Sequence, residues 1–198
     1  MQDWNSEEAI SQAEKSKELS PLGGVIFRSF MKSSGNLGDK VALALYMEGI
    51  IRFSKLRQGE LSRGEKALPR FLPKNVKTKI LSQFSHTTGG RSRVVTPDLK
   101  DKAICHIMVL ALLINSLKLG KVFPQRRHMT RFNWILLLDA SLLSESIRVR
   151  PDHLKKLVSM VGGHLVSDSV TQSQFIILKL PLSTFNMDYV GKKKGGRK

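Results

Sequence analysis

The chain has 198 residues, 41% of them hydrophobic, which suits one ordinary domain or two small ones and leads us to expect a folded core. Its 33 Lys and Arg against 16 Asp and Glu give a formal net charge of +17 and a pI of about 10.3, which calls for a polyanionic partner. The lone cysteine, Cys105, excludes an internal disulfide, and the N-terminus lacks a signal-peptide pattern, so a reducing intracellular setting is expected.

The charge is unevenly placed. Residues 1–39 hold four basic and six acidic side chains, whereas residues 40–198 hold 29 basic and 10 acidic ones. The N-terminal part, 1–38, is polar, with Trp4, Ile10 and Leu19 as its few apolar anchors before Pro21 and Gly23-Gly24, and it reads as a linker or docking arm. Within it, Val25-Ile26-Phe27 and Phe30-Met31 form a short apolar segment able to pack on a following domain.

From Asp39 the pattern becomes helical. Leu43, Tyr46, Met47, Ile50 and Phe53 recur at three- and four-residue spacing, with Asp39 as N-cap. A basic loop with Gly59 and Gly64 leads to a helix started by Pro73, whose apolar face is Val76, Ile80, Leu81 and Phe84 and whose outer side carries Lys74, Lys77 and Lys79. Gly89-Gly90 then marks a turn before a short strand ending at Val94-Val95.

Pro97-Asp98 opens another helix, apolar on nearly all sides from Ala103 to Ile114, which predicts a central buried element. That apolar run is shorter than the ~20 residues of a membrane helix, so no membrane span is expected. Ser141–Ser146 reads as a short helix, Arg148-Val149-Arg150 as a turn, and Pro151 onward as another Pro-started helix facing inward with Leu154, Leu157, Val158 and Val161. Two extended segments, 164–167 and 174–182, follow with a polar turn between them. The tail after Val190 has five basic residues in its last seven positions and is expected to be disordered.

The order helix, short helix or loop, Pro-started basic helix, hairpin therefore occurs twice. It predicts a mainly α fold with short β-hairpins, a tandem winged helix: residues 39–97 as the first unit, 98–185 as the second, 186–198 as tail. Lys74 and Lys77 lie one turn apart where a winged helix faces phosphates, and Arg91 and Arg93 stand on the wing side. Arg150, Lys155 and Lys156 repeat the arrangement in the second unit, beside Arg148. Residues 52–93 carry 11 basic and two acidic side chains. With no clear set of base-reading side chains, binding to duplex DNA is expected to be mainly to phosphates and salt-sensitive. Phe53 and Phe84 fall on core faces, which argues against an RNA platform of exposed aromatics.

Little here predicts catalysis. Cys105 and His106 are adjacent on a helix and cannot form a nucleophile and base pair with each other. The histidines include no H-x-x-x-H, and no second cysteine completes a zinc set, so no metal and no cofactor are expected. Gly89-Gly90 and Gly162-Gly163 lack the G-K-[ST] of a phosphate loop.

Three runs carry a family resemblance: SRVVTPDLKDKAICHIMVLALLINSLKL, SLLSESIRVRPDHLKKLVSMVGGHLV and FIILKLPL with its basic tail. With a D-K-x-x-C-H-I helix start at Asp101 to Ile107, they resemble the C-terminal tandem winged-helix region of the 49 kDa subunit family of RNA polymerase I, polymerase-associated factor 53 in mammals. The resemblance covers residues 40–198, with 1–39 like the preceding linker. It implies a non-catalytic, nuclear and nucleolar subunit that binds DNA and RNA polymerase I core subunits and supports initiation and elongation on ribosomal RNA genes. The matching positions are Lys74, Lys77, Arg91 and Arg93 in the first unit and Arg150, Lys155 and Lys156 in the second. The alternative is a protein-protein adaptor that docks on polymerase or an initiation factor without essential DNA contact.

Two departures from the family pattern stand out. The N-terminal β-barrel through which the family dimerises with a partner subunit is missing, so a fragment or short form is expected, without assembly through that barrel. Residues 120–138 interrupt the second unit, and a retained in-frame intron or a lineage-specific loop would account for these 19 residues.

Overall fold

The computed structural model describes residues 6–32, 38–89, 92–116, 134–168 and 173–180. Arg91, Gly90, the basic tail and residues 117–133 lie outside them. Among the described residues the chain is mainly helical, with two small antiparallel sheets.

Residues 7–31, expected as a linker or arm, are two packed helices. In α1 (Glu7–Lys15) the Ser6 hydroxyl accepts from the Ala9 amide and Glu7 and Glu8 sit in the first turn, where acidic groups suit the positive end of the helix. In α2 (Pro21–Met31) Ser20 is the N-cap and Pro21 fills a first-turn position that needs no N–H. Ile10, Ala13, Leu19, Leu22, Ile26, Phe27 and Phe30 are all buried, so the segment is held by packing that its polar composition conceals. Arg28 clasps Glu14 across the two helices with both terminal guanidinium nitrogens.

Helix α3 (Gly38–Ser54) lies against α2 and, most extensively, against α6 (Pro97–Ser116). Between them come α4 (Gln58–Leu61), a single 3₁₀ turn at Gly64–Ala67, and α5 (Lys74–Phe84), which runs into a hairpin of β1 (His86–Thr88) and β2 (Ser92–Val94). The hairpin pairs His86 with Val94 and Thr88 with Ser92. Phe84 ties α5 to both long helices: its ring is 5.9 Å from that of Phe53 and meets His106 edge-on at 5.2 Å. Gly49 permits the close approach of α3 to this region, since a Cβ there would stand 2.6 Å from Leu72 Cδ1 and 2.9 Å from Ile80 Cδ1.

The C-terminal half continues with β3 (Trp134–Asp139), α7 (Ala140–Ile147), α8 (Pro151–Met160), β4 (His164–Ser167) and β5 (Gln174–Leu180). The sheet order is β3-β5-β4, all antiparallel, with Trp134 opposite Leu180 and His164 opposite Ile177. Helix, strand, helix, helix, hairpin, with the first strand beside the last, is the topology of a winged helix. Residues 134–138, the last five of the 19 expected as an interruption, thus belong to the sheet, and removing them would delete its first strand. Asp139 ends that strand and caps α7, its Oδ1 accepting from the amides of Ser141 and Leu142 at 2.8 and 3.0 Å.

The buried apolar side chains form one cluster that runs from Ile10 to Leu178. Helix α6 is central, as expected, but not buried all round: Ala103, Ile107, Met108, Ala111 and Ile114 face inward while Val109 and Leu113 are 36% and 43% exposed. No helix among the described residues is long and apolar enough to cross a membrane.

A buried polar knot joins the two halves. Glu48 of α3, 4% exposed, accepts from the Ser20 amide at 2.9 Å through Oε1 and from the Ser20 hydroxyl at 2.7 Å through Oε2. The Ser20 hydroxyl in turn accepts from the Gly23 amide at 3.0 Å, and the Leu22 amide donates to the fully buried Ser146 hydroxyl of α7 at 2.9 Å. The first-turn amides of α2 are thus satisfied by side chains, that of Gly23 by the local Ser20 cap and that of Leu22 by Ser146 far along the chain, as buried donors must be. Burial pushes the Glu48 carboxyl above its ordinary range, against the opposing pull of both Ser20 hydrogen bonds and of Lys55 and Arg52.

Candidate nucleic-acid interface

Helix α5 presents two different faces. Ile80, Leu81 and Phe84 are buried, while Lys74, Asn75, Thr78, Lys79 and Ser82 are exposed. Lys77, expected beside Lys74 on the outer side, sits instead on the flank and is half-buried, because a three-residue step from Lys74 turns it toward the Ile80 and Leu81 side. Lys79 is the second fully exposed lysine of the helix, beside Lys74. The Thr78 hydroxyl donates to Glu65 Oε1 at 2.6 Å, which holds the basic loop against the helix.

The hairpin after α5 is pinned to the helix by an arginine. Arg93 Nη1 lies 3.2 Å from the Leu81 carbonyl and 3.2 Å from Ser85 Oγ, and so donates at the C-terminal end of α5, where a cation is favoured. Gln58 donates from α4 to the Arg93 carbonyl. Arg93 is therefore half-buried and structurally engaged, and Arg91 lies outside the described residues. Replacing Arg93 by alanine is expected to loosen the hairpin, raising amide hydrogen exchange at Thr87 and Thr88 by about tenfold, which corresponds to ~1.4 kcal/mol of lost local stability. Unchanged exchange there would show that the guanidinium contributes nothing to the wing.

In the C-terminal half α7 and α8 are joined by a tight turn. Arg148 adopts a left-handed conformation (φ 56°, ψ 48°), and the Ser144 hydroxyl donates to the Val149 carbonyl at 2.7 Å. Arg150 is the exposed N-cap residue of α8, followed by Pro151 in the first turn. Leu154, Leu157 and Val158 face the core, whereas Asp152, Lys155, Lys156, Ser159 and Met160 are exposed, the last at 66%. His153 fixes the start of α8 to α6 by donating from Nε2 to Asp101 Oδ1 at 2.7 Å.

Both Pro-started helices thus bury one face and offer lysines on the other. Among the described residues no group of three His, Cys, Asp or Glu side chains is arranged to hold a metal. Cys105 is half-buried, and burial, with a smaller contribution from Asp101, raises its thiol above the ordinary range, which opposes nucleophilic reactivity.

Topology and surface together define a basic, mainly helical protein with a winged-helix arrangement in its C-terminal half. The chain belongs to the A49-like RNA polymerase I associated factor family, whose model matches residues 4–184. That match includes α1 and α2, which the resemblance read from sequence had treated as linker. A comparison with individual curated proteins finds no match.

Proposed function

We propose that the chain is a non-catalytic RNA polymerase I subunit that binds duplex DNA through two winged-helix units, α3 to β2 and α6 to β5, and supports initiation and elongation on ribosomal RNA genes. Nuclear and nucleolar placement and contact with polymerase core subunits go with that role. The observation that carries the reading is the repeated Pro-started helix with a buried apolar face and exposed lysines, in a chain of net charge +17 that belongs to a polymerase-associated family. Lys74, Lys77 and Lys79 on α5 and Arg150, Lys155 and Lys156 on α8 would contact phosphates. Arg91 belongs to the same proposed surface through its place in the sequence between β1 and β2, and Arg93 supports that hairpin.

Phosphate recognition has a quantitative signature. Each neutralised phosphate contributes about −0.9 to the slope of log K against log salt, so six contacts predict a slope of about −5. Fluorescence anisotropy with several unrelated duplexes should give this slope and similar affinities. A flat salt response would remove DNA binding from the role. The exposed Val109 and Leu113 of α6 favour a second reading, an adaptor that docks on polymerase or an initiation factor. A chain that is captured by polymerase but shifts no duplex would select the adaptor.

A further inference from the structure

The outward stripes of α5 and α8 share one spacing. In α5 the stripe is Asn75, Thr78, Lys79 and Ser82, and in α8 it is Asp152, Lys155, Lys156 and Ser159; all are exposed, and each set follows the three- and four-residue steps of a single helix face. Both stripes therefore end in a serine one turn beyond an exposed lysine. Helix α5 ends at Phe84 and α8 at Met160, so Ser82 and Ser159 each sit in the last turn.

Neither hydroxyl ties its helix to another element. Ser82 Oγ donates to the Lys79 carbonyl at 3.0 Å and Ser159 Oγ to the Lys155 carbonyl at 3.1 Å, both within their own helix. Thr78, on the same stripe as Ser82, is by contrast bonded to Glu65. Among the described residues, Ser82 and Ser159 are also the only fully exposed serines or threonines with a lysine or arginine three positions earlier, Lys79 and Lys156. An exposed hydroxyl without a tertiary role, a cation at that fixed spacing and a place in a turn that frays readily suit an enzyme that binds an extended segment and reads the cation with acidic side chains.

We propose that Ser82 and Ser159 are phosphorylation sites for a basophilic serine kinase, and that their modification releases the chain from duplex DNA. The step moves the γ-phosphoryl group of ATP to the serine Oγ. The Oγ–P bond forms as the bond from the γ-phosphorus to the bridging oxygen breaks, ADP leaves with that electron pair, and the hydroxyl proton passes to the kinase's carboxylate base. A phosphoserine carries a charge of about −1.5 to −2 at pH 7. On these stripes it stands one turn from Lys79 or Lys156, offsets that cation and repels the duplex, and at the C-terminal end of a helix it also opposes the dipole. The release rests on the DNA-binding reading above, whereas the modification itself does not.

The test treats the full chain with magnesium-ATP and a serine kinase that requires a basic residue three positions before its target. Phosphate is mapped by mass spectrometry, and duplex binding is measured by fluorescence anisotropy before and after. Phosphate is expected on Ser82 and Ser159 ahead of the exposed Ser62 and Ser141, which have Gly59 and Leu138 at that position. Lys79→Gln and Lys156→Gln should each slow modification of the serine that follows it and leave the other serine unaffected. Affinity near 0.1 M salt should fall about 100-fold, close to tenfold for each cancelled contact, and return on phosphatase treatment. The double variant Ser82→Ala, Ser159→Ala should bind duplex as the untreated chain does and keep that affinity after the kinase. Phosphate absent from both serines, or added at an unchanged rate after the lysine replacements, would overturn the sites. Phosphate on both with undiminished duplex affinity would overturn the release. An untreated chain that binds no duplex would remove the DNA-binding reading and the release with it, and the phosphate map would still decide the sites.

Discussion

Replacing Lys74 and Lys79 together by glutamate is expected to weaken duplex binding about 100-fold near 0.1 M salt, with the salt slope falling by about two units. The magnitude follows from counterion release: each lost contact forfeits close to tenfold at that salt, and the new carboxylates add repulsion. Both side chains are exposed on α5 and neither touches the core, so the thermal midpoint should stay within a degree or two of wild type. Lys77→Glu alone is expected to act differently. From its half-buried flank position it should cost some stability as well as affinity. Lys155 and Lys156, both exposed on α8, provide the matching test in the C-terminal half. If the double reversal on α5 leaves affinity intact while that on α8 abolishes it, only one of the two helices faces DNA.

The second large effect concerns stability. Glu48→Ala removes the acceptor of the Ser20 amide and hydroxyl, leaving two buried donors unpaired at about 1–3 kcal/mol each, and it opens a cavity between α2 and α3. A loss of roughly 3 kcal/mol or more in urea unfolding is expected, a large share of a typical domain's stability. Glu48→Gln keeps one acceptor and should cost less. The pH dependence has a definite sign. Because the folded carboxyl titrates above its ordinary value of 4.5, the folded state holds the proton more tightly than the unfolded state does. The contribution of Glu48 is therefore fully present below that value and is lost as pH rises through the higher folded value. The stability of wild type minus that of Glu48→Gln should fall as pH is raised from 4.5 and then level off. A difference that grows with pH would contradict burial as the dominant cause.

Most of the C-terminal half was legible from local signals. Pro151 with its inward Leu154, Leu157 and Val158 marked α8, and the β-branched run before Leu180 marked β5; both appear in the structure. The same reasoning misplaced elements whose reason for being is non-local. Ile10 and Ala13 are too few to announce a helix that must pack, and the partners that stabilise α2, Glu48 and Ser146, are 28 and 124 residues away from the groups they bind. The Ser20-Pro21 pair, a cap followed by a first-turn proline, was the available signal. Trp134 to Leu138 is a short apolar run of the kind a buried strand shows, yet set beside a family pattern it reads as an interruption; only pairing with β5 identifies it.

The candidate surface was legible in kind more than in detail. Charge excess and proline placement identify the two basic helices, but phase around the helix decides which lysines face out, and a three-residue step separates Lys74 from the flank-facing Lys77. Arg93 is indistinguishable in sequence from a free wing cation, because its acceptors, the Leu81 carbonyl and Ser85 hydroxyl, exist only once α5 ends where it does.

The bond from the Leu22 amide to Ser146 also sets an order of events during synthesis. At ribosomal rates of about 5–20 residues per second, the 124 residues that separate the two groups take about 6–25 s to be made. Through that interval the first turn of α2 has no Ser146 to bond, and the nascent chain carries an unsealed helix start beside a buried-type acid. Chaperone occupancy on translating ribosomes should accordingly persist on this N-terminal pair of helices until α7 has cleared the exit tunnel.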